Sequence, residues 1–158
     1  MKKLLITILT ALACTGVQAQ LNLQMHYDMG NAIYGDELSE RPKLTATVEN
    51  FKADKWGSTY FFVDANFADN KMHSAYAEIS RELKFWDAPL AVHVEYNGGL
   101  AGSGSYNDAY LLGAAYNWAS KDFSKTFSLQ ALYRYLANQQ VGTKHSWQLT
   151  AVWGINFA

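Results

Sequence analysis

Two runs of the chain alternate apolar and polar side chains with a period of two. In 21–29, Leu21, Leu23, Met25, Tyr27 and Met29 take the odd positions and Asn22, Gln24, His26 and Asp28 the even ones. Near the other end, Trp147, Leu149, Ala151, Trp153, Ile155 and Phe157 share one face. Ser146, Gln148, Thr150, Gly154 and Asn156 share the other, with Val152 as the exception. An extended backbone sends successive side chains to opposite sides, so each run predicts a strand with one oily and one wet face. Six weaker segments obey the same rule: 43–51, 56–67, 73–81, 89–97, 109–118 and 126–135. In 73–81, for example, Ala75, Ala77 and Ile79 oppose Ser74, Tyr76, Glu78 and Ser80. The segment 109–118 is apolar on both sides, Tyr110, Leu112, Ala114, Tyr116 and Trp118 making the larger one. The pattern predicts eight strands long enough to cross a membrane at a tilt.

The predicted connections alternate in character. Segments 30–42, 98–108 and 136–144 are long and polar or Gly-rich, whereas 52–55, 82–88 and 119–125 are shorter. Long loops then share one end of an up-and-down barrel and tight turns the other. The segment 68–72 breaks the pattern, being short where a long loop is due. A soluble strand sandwich also alternates, but its outward face would be charged and its strands shorter. Here the polar positions are mostly Ser, Thr, Asn, Gln and Tyr with single carboxylates.

Export changes the picture next. Lys2 and Lys3 precede an uncharged run over 4–17 and a small-residue exit at Val17-Gln18-Ala19, which predicts a signal peptide over 1–19, cleaved before Gln20. The run is too short to cross a bilayer as a helix, and no later stretch is longer or as apolar. The domain is then 20–158, in the outer membrane of a bacterial cell, with outer-membrane lipid around it. An alternative is lipidation at Cys14, since Ala11-Leu12-Ala13-Cys14 loosely resembles a lipoprotein processing site. All ten Tyr, eight Phe and five Trp fall after residue 19, as aromatic girdles at two membrane interfaces require. Without Lys2 and Lys3, acidic residues outnumber basic ones by three, which argues against a nucleic-acid binder. Cys14 is the sole cysteine, so the domain has no disulfide framework. The ending Asn156-Phe157-Ala158 is an approximate match to the terminal aromatic that barrel-assembly machinery receives.

Enzymatic chemistry finds little purchase. No G-x-S-x-G elbow and no His-Glu-x-x-His pair occurs. His26, His73, His93 and His145 sit singly in separate segments, a poor spacing for a metal, and no cofactor is expected. Gly102-Ser103-Gly104 lacks the Lys-Ser/Thr pair of a phosphate loop, and Ser103 and Ser105 are loop serines.

Three tracts resemble a known family: Arg41 through Phe51 (RPKLTATVENF), Asp54 through Asp64 (DKWGSTYFFVD) and Ala75 through Arg81 (AYAEISR). Together they look like the Tsx-like nucleoside-specific channel-forming porins, and more closely an uncharacterised branch of them. The resemblance covers about 21–158. It implies a twelve-stranded barrel of which this chain is the first two-thirds, and passive uptake of nucleosides or similar small polar solutes. No nucleoside-contacting position carries over residue by residue. The candidate lumen lining comes from the alternation instead: Glu49, Asp64, Glu78 and Glu95 on successive strands, His93 beside Glu95, and Arg134 on a later strand. Under the channel hypothesis these carboxylates and tyrosines hydrogen-bond a sugar, while Tyr60, Phe62 and Tyr76 stack on a base. The plainer alternative is that the groups satisfy one another inside a small, filled, non-conducting eight-stranded barrel. A lipid-acting outer-membrane enzyme is the third class.

Overall fold

The computed structural model describes residues 20–38, 41–102, 104–106, 108–140 and 142–156. The predicted signal peptide with Cys14, Ser103, and the terminal Phe157 and Ala158 lie outside the described residues. Strand β1 (Gln20–Tyr27) leads into a short helix α1 (Gly30–Tyr34) and a 3-10 turn at Gly35–Leu38. There follow β2 (Leu44–Asp54), β3 (Gly57–Ala68), β4 (Lys71–Leu83), β5 (Leu90–Ala101), β6 (Gly104–Ser105), β7 (Ala109–Ala119), β8 (Lys125–Leu136) and β9 (His145–Ile155). No described helix is long and apolar enough to cross a membrane, which has no bearing on crossing by strands.

The fold is an all-β antiparallel sheet of nine strands. Each long strand pairs with its neighbour in sequence, in the order β1-β2-β3-β4-β5-β7-β8-β9, and β6 folds back on the end of β5. The eight predicted strands are therefore all present, and two expectations change. The segment 98–108 is not loop throughout: β5 continues to Ala101 and β6 adds a two-residue ninth strand. Paired Gly98-Gly99 reads as a breaker, yet a Cβ on Gly99 would run into the Ala75 carbonyl of β4 and the Tyr106 ring, so the glycine permits a close strand approach. The segment 82–88 is also shorter than a loop of that length, because β4 runs on to Leu83.

The short connection at 69–70 has a physical cause. Asp69 and Asn70 both lie in the left-handed region, at φ 51° and 59°, between the paired Ala68 and Lys71. Two central residues with positive φ define the turn whose twist matches a strand pair, and Asp and Asn accept that conformation better than other side chains. Long connections at 28–43, 102–108 and 137–144 share this end of the sheet, and 55–56, 84–89 and 120–124 share the opposite, tight-turn end.

Register sets the two faces. Glu49 pairs with Asn22 and Phe62, Phe62 with Glu78, Glu78 with Asn97, and Ser80 with Glu95. Glu95 pairs with Leu111, Leu111 with Arg134, and Arg134 with Ser146. All these side chains share one face. It is the concave one: Ala115 and Leu132 on it are fully covered, and Phe51 of β2 and Val152 of β9 line a common cavity. The sheet is rolled but open, β1 and β9 forming its edges without pairing to each other.

The convex face is a continuous apolar surface. Val48, Val63, Ile79, Val94, Leu112 and Leu149 occupy its middle, all exposed. Toward the loop end stand Tyr27, Tyr110, Tyr133 and Trp147, and toward the tight-turn end Trp56, Trp118 and Trp153. Among the described residues the buried hydrophobics are Ala91, Ala109, Leu111, Ala115 and Leu132, a very small core for a sheet of this length.

Candidate functional site

The concave face is the candidate site, and its polar side chains are organised in three groups. The first spans β1, β2 and β3. The Glu49 carboxylate accepts hydrogen bonds from Asn22 Nδ2 (2.8 Å) and Gln24 Nε2 (2.9 Å) on one oxygen, and from the Tyr60 hydroxyl (3.1 Å) on the other. Thr47 donates to Asp64 at 2.6 Å, Thr45 to Asn66 at 2.6 Å, and Asn66 in turn to Ser74 of β4 at 3.0 Å. Alternation places these groups opposite one another, and cross-strand pairing brings each donor to its acceptor.

The second group lies on β3 and β4. The Tyr76 hydroxyl donates to Glu78 Oε1 at 2.6 Å. Tyr60, Phe62 and Tyr76 follow one another with ring centres 6.1 and 6.0 Å apart, and Tyr106, after β6, extends the row by 6.1 Å.

The third group surrounds His93 of β5, which is 2% exposed. Its Nε2 lies 2.9 Å from Glu95 Oε2 and its Nδ1 3.5 Å from Glu82 Oε1, while Asn117 Nδ2 donates to Glu82 Oε2 at 2.7 Å. The Nδ1 contact fits an ion pair of a charged imidazole but has no hydrogen-bond geometry, so Nδ1 counts among the buried atoms without a hydrogen bond, with Arg134 Nε and Asn97 Oδ1. Glu78, Glu82, Glu95, His93, Asn117 and Gln130 line a cavity of ≈ 730 Å³ toward the tight-turn end. A second cavity, of ≈ 520 Å³, opens at the loop end among His26, Arg41, Asn66, His73 and Tyr106.

A family described as a domain of unknown function, DUF5020, matches residues 19–158. The chain belongs to the DUF5020 family. No curated protein and no solved structure matches it.

In this DUF5020 chain the structure brings all nine candidate residues, Glu49, Tyr60, Phe62, Asp64, Tyr76, Glu78, His93, Glu95 and Arg134, onto the concave face. Glu49 with Tyr60, Tyr76 with Glu78, and His93 with Glu95 are in direct contact. Asp64 belongs to the Thr47 pair and Arg134 stands two strands from Glu95. The pattern missed Glu82, which continues the even-numbered series Glu78, Ser80, Glu82 one step past the predicted strand end. Tyr106 carried no periodic signal, because it follows a two-residue strand. His26 touches Gln24, His145 meets the Tyr133 hydroxyl on the convex side, and His73 lies at the loop end. Among the described residues no group of three or more His, Cys, Asp or Glu is placed to hold a metal. Ser105 donates to the Gly99 and Tyr106 carbonyls.

Proposed function

We propose that this DUF5020 chain is an outer-membrane β-barrel of the channel type, held in lipid by its convex face and passing small polar solutes along its concave one. The observation that carries this reading is the banding of the convex face. On β9, Trp147 and Trp153 are 79% and 72% exposed, with Leu149 at 77% between them. The two tryptophans are six steps apart along the strand, a rise of roughly 20 Å at about 3.4 Å per residue. Aromatic residues near both ends of an eleven-residue strand, with an aliphatic stretch between them, fit a tilted crossing of a bilayer, where the indole ring meets both headgroup and hydrocarbon. In water the same surface would be left uncovered, and the small core offers little to offset it.

Lipid also dictates what becomes of the edges. Unpaired strand backbone is not tolerated in hydrocarbon, so β1 and β9 pair with each other or with further strands of a larger barrel. Export by the signal peptide and delivery through barrel-assembly machinery belong to the same reading. The Tsx resemblance supplies nucleosides as the solute class, and the excess of carboxylates on the inner wall gives a mild preference for cations. Reconstitution in planar bilayers tests it: stepwise conductance is expected, and Asp64→Asn with Glu78→Gln should shift the reversal potential toward lower cation selectivity. Conductance with unchanged selectivity removes those carboxylates from the pathway.

A second reading, a filled non-conducting barrel, is favoured by one observation. Glu49, Asp64, Glu78 and Glu95 all have partners, and Leu111 and Leu132 point inward beside them. A folded, membrane-inserted protein with no conductance would establish it.

A further inference from the structure

Four aromatic rings form a continuous wall across the concave face. Tyr60, Phe62, Tyr76 and Tyr106 succeed one another at interplanar angles of 49°, 50° and 89°, and none of them is buried. The two ends of the row open on different cavities: Tyr60 lines the ≈ 730 Å³ cavity at the tight-turn side, and Tyr106 the ≈ 520 Å³ cavity at the loop side. The row therefore runs from one cavity to the other, through Phe62 and Tyr76.

Acceptors flank the rings along this path. The Tyr60 and Tyr76 hydroxyls are committed to Glu49 and Glu78, which fixes the rings and leaves further carboxylate lone pairs unspent. Asp64 sits between the two, bonded to Thr47 through one oxygen. A solute matched to this wall needs apolar patches for the ring faces and hydroxyl donors at its rim. Sugar rings have that character, with C–H faces and equatorial hydroxyls. A planar base clamped between two rings needs them close to parallel, and no two successive rings of the row are. Glu49, Asp64 and Glu78 repel phosphorylated or carboxylated solutes.

The geometry points to a carbohydrate-binding track, its ligand a neutral oligosaccharide that lies along Tyr60, Phe62, Tyr76 and Tyr106 with hydroxyls donated to Glu49, Asp64 and Glu78. This rests on the channel reading in one respect, that the concave face is open to solute, and puts a sugar where the family resemblance suggests a nucleoside.

Saturation-transfer NMR on the full chain in detergent micelles tests the track, with maltotriose, uridine and glucose 6-phosphate as probes. Maltotriose is expected to bind and glucose 6-phosphate not to. Phe62→Ala and Tyr106→Ala should each weaken maltotriose about tenfold, as loss of one stacking surface does. Tyr106→Phe, which keeps the ring, should bind as the parent does, and Trp147→Ala on the convex face should change nothing. Tyr106 lies outside the long strands, so its alanine variant tests the track even where Phe62→Ala fails to fold. The proposal is overturned if the folded protein binds no maltotriose, binds uridine in preference to it, or keeps its affinity in Tyr106→Ala. Conductance measured in parallel separates the two ideas: a conducting protein without maltotriose binding loses the track and keeps the channel, and binding without conductance does the reverse.

Discussion

Carboxylates on the concave wall survive because each is tied to a specific neighbour, and His93 shows what such a tie is worth. Its side chain is 3% exposed and stands between Glu95 and Glu82, themselves 10% and 19% exposed. Replacing it by leucine leaves two carboxylates facing each other with only neutral amides hydrogen-bonded to them, Asn117 and Gln130 at Glu82 and Asn97 at Glu95. Removal of one partner from a buried ionic group costs about 3 kcal/mol. Urea unfolding in detergent should show a loss of that order for His93→Leu, partly restored by adding Glu82→Gln and Glu95→Gln. Outside the sheet, Asp122 is held down to about 2 from 3.8 by the Ser120 and Ser124 hydroxyls and the Ser124 N–H, all donating to its carboxylate. A carboxyl depressed on folding contributes stability above its unfolded value and loses it as pH falls through the folded one. The parent should therefore exceed Asp122→Asn in urea midpoint near neutrality, and the gap should close between pH 3.8 and about 2. Alternation alone decides which face a strand residue takes, so the sequence pattern puts Glu49, Asp64, Glu78 and Glu95 on one face and loses Glu82, which stands just past the expected strand end. It says nothing of which donor each one meets, since Glu82 and Asn117, 35 positions apart, are joined only by the sheet.

Elements of this chain are decided by local rules in the strands and by rarer ones at the turns. The Asp69-Asn70 turn needs positive φ at both positions, and a β-branched side chain there costs about 1 to 2 kcal/mol. Asn70→Val should lower the unfolding free energy measured in urea by that amount while Asn70→Gly leaves it unchanged, which would tie the effect to backbone conformation and not to the amide. Strand extents were legible within a few residues because each alternating run is long. Helix α1, five residues between two loops, and β6, two residues, are too short to display any period. The inward Leu111 and Leu132 make the β7 region apolar on both sides, so the segment 109–118 carries a weak signal for a structural reason: Ala109, Leu111 and Leu132 pack together there, with Leu136 against them.

At the scale of the whole molecule, the convex surface predicts its own surroundings. Single-tryptophan variants retaining only Trp147 or only Trp153, inserted in bilayers, should both be quenched by bromine atoms near the headgroups and far less by bromines at the bilayer centre. Equal quenching at all depths, or none, would place the protein elsewhere than across a membrane. The sheet joins each long strand to the long strands before and after it in sequence, β5 carrying the short β6 besides. A duplicated hairpin could therefore be spliced in next to an existing one with every other register left as it is, and the sheet would grow by two strands at a stroke. An up-and-down architecture of this kind lets a lineage widen or narrow its sheet by whole hairpins, with no ancestral contact inside the older strands redrawn.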